Sequence, residues 1–130
     1  MDGLTLNIPP ARDTGDMPRR AEPYARLAVI GMGSWGTALA AVAASAGCDT
    51  RLWGRRDALA QAMAETRQNP EHLPGIDLPA TLTPTSDLAT ALNGVEAVLL
   101  VTPSHTLRDM ARKMKPHLPE GVPIALCCKG

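Results

Sequence analysis

Residues 27–36 constrain this chain more tightly than any other stretch. Leu27-Ala28-Val29-Ile30 is a short apolar run with a β-branched centre, and Gly31-Met32-Gly33-Ser34-Trp35-Gly36 follows it directly. A buried parallel strand reads this way. Thr37 to Ala46 is Ala- and Leu-rich, a strong helix former, and Gly47 stands where a helix stop belongs. Strand, glycine turn and helix in succession are the context that gives G-x-G-x-x-G its meaning. Gly31 permits the tight turn, Gly33 lets a pyrophosphate approach the backbone, and Gly36 lets the helix pack close on the strand. The helix start offers unused N–H groups and a partial positive charge to the phosphates. The competing reading is a plain glycine-rich turn; the flanking elements favour a dinucleotide.

The rest of the chain continues the alternation. Thr50 to Trp53 reads as a second strand, and Asp57 is placed to cap a helix running to about Gln68, which Asn69-Pro70 ends. Pro70 to Pro84 carries four prolines and reads as loop. Ser86 is expected to cap a short helix through Asn93, closed by Gly94. Val95 to Val101 is the strongest strand signal, Thr102-Pro103-Ser104 turns into a helix ending before Pro116, and Val122 to Cys127 is a last apolar strand. The fold class is therefore α/β: a Rossmann-type doubly wound parallel sheet. Residues 1–26 hold four of the twelve prolines and no hydrophobic period, and are expected to be a mobile tail outside the cofactor-binding unit of residues 27–130.

The end of the second strand indicates which dinucleotide. NAD-preferring sites usually carry Asp or Glu there, to accept from the ribose 2′-OH. This chain reads Leu52-Trp53-Gly54-Arg55-Arg56 instead. Two guanidiniums suit a 2′-phosphate through bidentate, charge-assisted hydrogen bonds. The alternative for Arg55 and Arg56 is a solvated surface pair. His72 lies in the proline-rich loop, where cofactor contact and plain surface exposure are equally open. Lys129 stands just past the C-terminal end of an apolar strand, the sheet edge where ligands bind, with a solvated terminus as its alternative. His105 and His117 have no partner spacing for a metal, and Cys127-Cys128 reads as inert thiols.

Composition closes off other classes. Thirteen basic and thirteen acidic residues cancel, which argues against a nucleic-acid or polybasic membrane surface. Two Trp, one Tyr and no Phe cannot build a base-stacking platform. No segment is long and apolar enough to span a bilayer, and the N-terminus lacks a signal peptide's apolar core. Three cysteines without metal or disulfide spacing suggest a reducing cytoplasm.

These residues resemble the opening of the NAD(P)-dependent glycerol-3-phosphate dehydrogenases. Gly-Met-Gly-Ser-Trp-Gly at 31–36 followed by Thr37-Ala38-Leu39-Ala40, Trp53-Gly54-Arg55-Arg56, Asn69 through Leu73-Pro74-Gly75 and Leu78-Pro79, Ser86-Asp87-Leu88-Ala89, Val101-Thr102-Pro103-Ser104-His105 and Lys129-Gly130 occur in the family's order. The resemblance covers about residues 27 to 130. It implies reduction of dihydroxyacetone phosphate to sn-glycerol 3-phosphate with NADH or NADPH, for glycerophospholipid synthesis. It also implies cofactor contacts from Ser34, on the pyrophosphate, and Trp35. Arg55 and Arg56 would lie at the 2′-phosphate, and Lys129 on the substrate and nicotinamide side. Cys128 stands where the family more often has Thr, and Thr102 where an apolar residue is common. The family's catalytic lysine lies in a second, helical domain. The resemblance thus implies a cofactor-binding half that is inactive alone, with no catalytic residue in these 130, a homodimer being possible for the longer protein. A stand-alone dinucleotide-binding or sensor module is the alternative.

Overall fold

Val29 and Ile30 have side chains on opposite faces of their strand, yet neither is exposed to solvent. Only a central strand covered on both sides satisfies this. The computed structural model describes residues 25–127 and places this strand, β1 (Arg26–Ile30), in the middle of a five-stranded sheet. Along the chain follow α1 (Ser34–Ser45), β2 (Asp49–Trp53), α2 (Asp57–Thr66), β3 (Leu82–Thr85), α3 (Leu88–Leu92), β4 (Ala97–Leu100), α4 (Leu107–Met114) and β5 (Ile124–Leu126). Short 3₁₀ turns, Ser104–Thr106 and Lys115–His117, flank α4. All four strand pairings are parallel, in the order β3-β2-β1-β4-β5. Val29 lies opposite Leu52 of β2, and Ile30 opposite Leu100 of β4.

Helices cover both faces, as the doubly wound expectation required. On one face Val29 and Leu52 meet Ala40 and Ala44 of α1 and Leu59, Ala60 and Met63 of α2. On the other, Ala28, Ile30, Val98 and Leu100 meet Ala91 and Leu92 of α3 and Met110 and Met114 of α4. Each helix buries one apolar stripe and leaves the other side in water. The chain leaves β1 toward β2 on one side of the sheet centre and returns to β4 on the other. That reversal opens a crevice past the C-terminal ends of β1 and β4.

The structure corrects the sequence reading in four places. Residues 82–85 are not loop: they form edge strand β3, with Pro84 opposite Leu52. Proline lacks an N–H, and an edge strand is where a sheet can do without one. Asp87, not Ser86, caps α3; its carboxylate accepts from the Thr90 N–H, while Ser86 donates to Asp57. Asp57 is the first residue of α2 rather than its cap, and its carboxylate also accepts from Gln61. Arg26 belongs to β1, tied to Asp49 of β2 at 2.9 Å, so the strand takes in the last residue of the expected tail and starts one residue before Leu27. Residues 1–24 of the tail, Cys128 and Lys129 lie outside the described residues.

Candidate functional site

The glycine loop sits at the crevice, and its three glycines meet three different demands. Gly31 has φ +131°, a conformation L side chains rarely adopt, and its N–H donates to the Trp53 carbonyl at 2.9 Å. A Cβ there would stand 3.1 Å from the Val101 backbone. At Gly36 a Cβ would fall 1.9 Å from the Gly31 carbonyl oxygen, so the first turn of α1 rests directly on the loop. Gly33 is the opposite case. A Cβ there would meet nothing within 4 Å, although the residue is the N-cap of α1. The space above Gly33 is open where the other two positions are closed.

Among the described residues, the N-terminus of α1 is electrostatically unanswered. The first intrahelical bond runs from the Thr37 N–H to the Gly33 carbonyl at 2.9 Å, which leaves the N–H groups of Ser34, Trp35 and Gly36 ahead of it. Among the described residues no side chain caps the helix, and its first turn holds no acid. The partial positive end of a twelve-residue helix therefore faces the open space over Gly33. Trp35 is 48% exposed, and its indole N–H reaches the Cys127 carbonyl at 3.2 Å, joining the loop to the end of β5 across the crevice mouth.

A second segment braces the loop. Asn69 is fully buried. Its amide donates to the Met32 carbonyl at 3.0 Å and to Thr37 Oγ1 at 2.9 Å, and its oxygen accepts the N–H groups of Glu71 and His72. Sequence reasoning used Asn69 as a helix stop and within the family resemblance; its bracing role comes from contacts 32 and 37 residues away, which no local pattern announces. Gly54 was also missed as a packing position: a Cβ there would come within 2.6 Å of Met32.

The two arginines after β2 are not equivalent. Arg56 is forked onto Glu71, with Nη1–Oε1 at 2.5 Å and Nη2–Oε2 at 2.8 Å. That hydrogen-bonded pair raises the Arg56 pKa further and holds the Glu71 carboxyl below the usual carboxylate range. Arg55 is exposed and makes no hydrogen bond or ion pair among the described residues. His72 is carried on the same braced segment, its Nε2 4.0 Å from Glu71. Its N–H is tied to Asn69, while its ring is 43% exposed. Thr102, just past β4, is 9% exposed, and its hydroxyl is buried without a hydrogen-bond partner among the described residues. Burial pushes the Cys48 thiol pKa up, in keeping with an inert cysteine. Among the described residues no cluster of His, Cys, Asp and Glu is arranged to hold a metal, and no helix is long and apolar enough to cross a membrane.

A parallel doubly wound sheet with an open glycine turn and an uncapped helix at its switch point defines the class: a Rossmann-type nucleotide-binding unit. Comparison with known proteins makes the class specific. Residues 26–130 match the model of the NAD-dependent glycerol-3-phosphate dehydrogenase N-terminus, and the chain belongs to that family. It is 47% identical over 104 residues to glycerol-3-phosphate dehydrogenase [NAD(P)+] of Moorella thermoacetica, covering 80% of this chain and 31% of the relative. With the enzyme of the same name from Streptomyces griseus it shares 48% over 102 residues, 78% of this chain and 30% of the relative. The crystal structure of glycerol-3-phosphate dehydrogenase from Coxiella burnetii superposes with a TM-score of 0.77 at 37% identity, over 81% of this chain and 32% of that one. The chain thus spans about a third of the length of the relatives it matches.

Proposed function

We propose that this chain is the cofactor-holding part of an enzyme that reduces dihydroxyacetone phosphate to sn-glycerol 3-phosphate with NADPH or NADH, supplying glycerophospholipid synthesis in the cytoplasm. The observation that carries this reading is the helix end at Gly33: open space, N–H groups ahead of the first helical bond, and no acid in the first turn. A pyrophosphate can approach the backbone there, because among the described residues a Gly33 Cβ would meet nothing within 4 Å. Ser34, Trp35 and Gly36 would contribute N–H groups to the phosphates. Gly31 holds the turn, Arg55 is the guanidinium available to a 2′-phosphate, and Arg56 and His72 line the same rim. Lys129 would serve substrate and nicotinamide. When bound, the dinucleotide supplies the hydride. The relatives' names, which pair NAD(P)+ with glycerol 3-phosphate, support the substrate.

Calorimetric titration of the chain with NADPH and NADH tests the first half of the proposal. Saturable binding of at least one is expected, with severe loss in Gly33→Val, whose branched side chain would occupy the open space. Equal binding by the wild-type chain and Gly33→Val would overturn the assignment.

A further inference from the structure

The end of β2 holds no acid in the sequence, yet in the structure a carboxylate stands beside it. Glu71 comes from the segment after α2, set in place by Asn69, which is itself bonded to the glycine loop. The glycine loop and the segment that carries this acid are therefore linked through one buried side chain. Arg56 is turned onto this acid with two of its nitrogens.

We propose that Glu71 sets this chain's preference between the two nicotinamide dinucleotides by holding Arg56 away from a 2′-phosphate. The proposal rests on the reading of the crevice as a dinucleotide site. A phosphate monoester carries nearly two negative charges at neutral pH. At this rim it would meet a carboxylate of like charge, and it would compete with that carboxylate for the fork of Arg56. An unphosphorylated ribose brings no charge, and its 2′-OH can donate to an acidic acceptor. Glu71 thus disfavours the phosphorylated cofactor while Arg55, which is unengaged among the described residues, favours it. The balance between them gives a chain that accepts both. The ion pair is half-exposed on each side, with 52% of the Arg56 side chain and 44% of the Glu71 side chain in solvent, so it can open without unfolding anything.

The test is calorimetric titration of the 130-residue chain and its Glu71→Gln variant with NADPH and with NADH, at low salt. Glu71→Gln is expected to shift the ratio of the two Kd values toward NADPH by about fivefold, the size of one exposed charge contact. In an Arg56→Ala background the same substitution should give a clearly smaller shift, because no guanidinium remains to be released. Glu71→Ala is the second variant, and an unchanged melting temperature certifies that either one folds. An unchanged ratio, or an equal shift with and without Arg56, overturns the proposal while leaving the dinucleotide site standing. Failure of the unsubstituted chain to bind either cofactor overturns the site and this proposal with it.

Discussion

At the scale of single residues, Gly33 and Gly36 look alike in the sequence and differ entirely in the fold. A methyl at Gly36 would lie 1.9 Å from the Gly31 oxygen, a contact that only backbone movement can relieve. Gly36→Ala should cost several kcal/mol, a large share of the roughly 5–15 kcal/mol that holds a domain together. A methyl at Gly33 meets open space, so Gly33→Ala should melt within a few degrees of the parent. Thermal unfolding followed by circular dichroism separates the two, and equal destabilisation would show that the open space over Gly33 is not there. Thr102 offers the converse test. Its hydroxyl is buried with nothing among the described residues to accept or donate. Thr102→Val removes that unpaired group at nearly constant shape and should leave stability unchanged or raise it by about 1 kcal/mol. A clear loss of stability would reveal a partner for the hydroxyl.

Among the elements, the strand–turn–helix start was legible because every level agrees there: a β-branched run, glycines at fixed offsets, an Ala-rich helix. β3 was not legible, because Pro84 and its neighbouring prolines carry a loop signature that only the edge position overrides. Arg55 and Arg56 were legible as a pair but not as unequal partners, since Glu71 lies fifteen residues beyond Arg56 and arrives only through the Asn69 brace. The β1–β2 connection shows a similar hidden cross-link. At Asp49 partial burial raises the carboxyl pKa, but hydrogen bonds from Arg26 and Arg51 outweigh it and hold the group below its usual value. A carboxyl lowered in this way contributes fully above its ordinary pKa, and the contribution fades as pH falls through the folded value. Asp49 is 40% exposed, so about 0.2–1 kcal/mol is expected at neutral pH. Asp49→Asn should therefore be less stable than the parent at neutral pH, with the gap closing below about pH 4. Urea melts across that range check it; a gap that widens toward acid would contradict the sign.

At the scale of the whole molecule, the sheet formed by the described residues is finished on one side and open on the other. β3 closes its edge with a four-residue strand broken by proline, a shape that discourages further pairing. Among the described residues β5 has no such protection. It is an outermost strand among the described residues, with Ile124 40% and Leu126 65% exposed beside it. Unpaired backbone groups and two large apolar side chains together invite a second chain to add itself there. Sedimentation of the 130-residue chain should show concentration-dependent self-association, and Ile124→Lys with Leu126→Lys should suppress it without lowering the melting temperature. The catalytic expectation follows from the same geometry. What the described residues build is a place for phosphates and a ribose. They hold no acid-base group paired and buried against the crevice, and nothing that walls water out of it. Hydride transfer also needs the substrate carbonyl held over the ring in a near-attack geometry. The chain should therefore bind dinucleotide and show no measurable oxidation of NADPH or NADH with dihydroxyacetone phosphate. If turnover by the isolated chain came within tenfold of a full-length relative's, residues 26–130 would contain a complete active site, and the division between a cofactor half and a substrate half would be wrong.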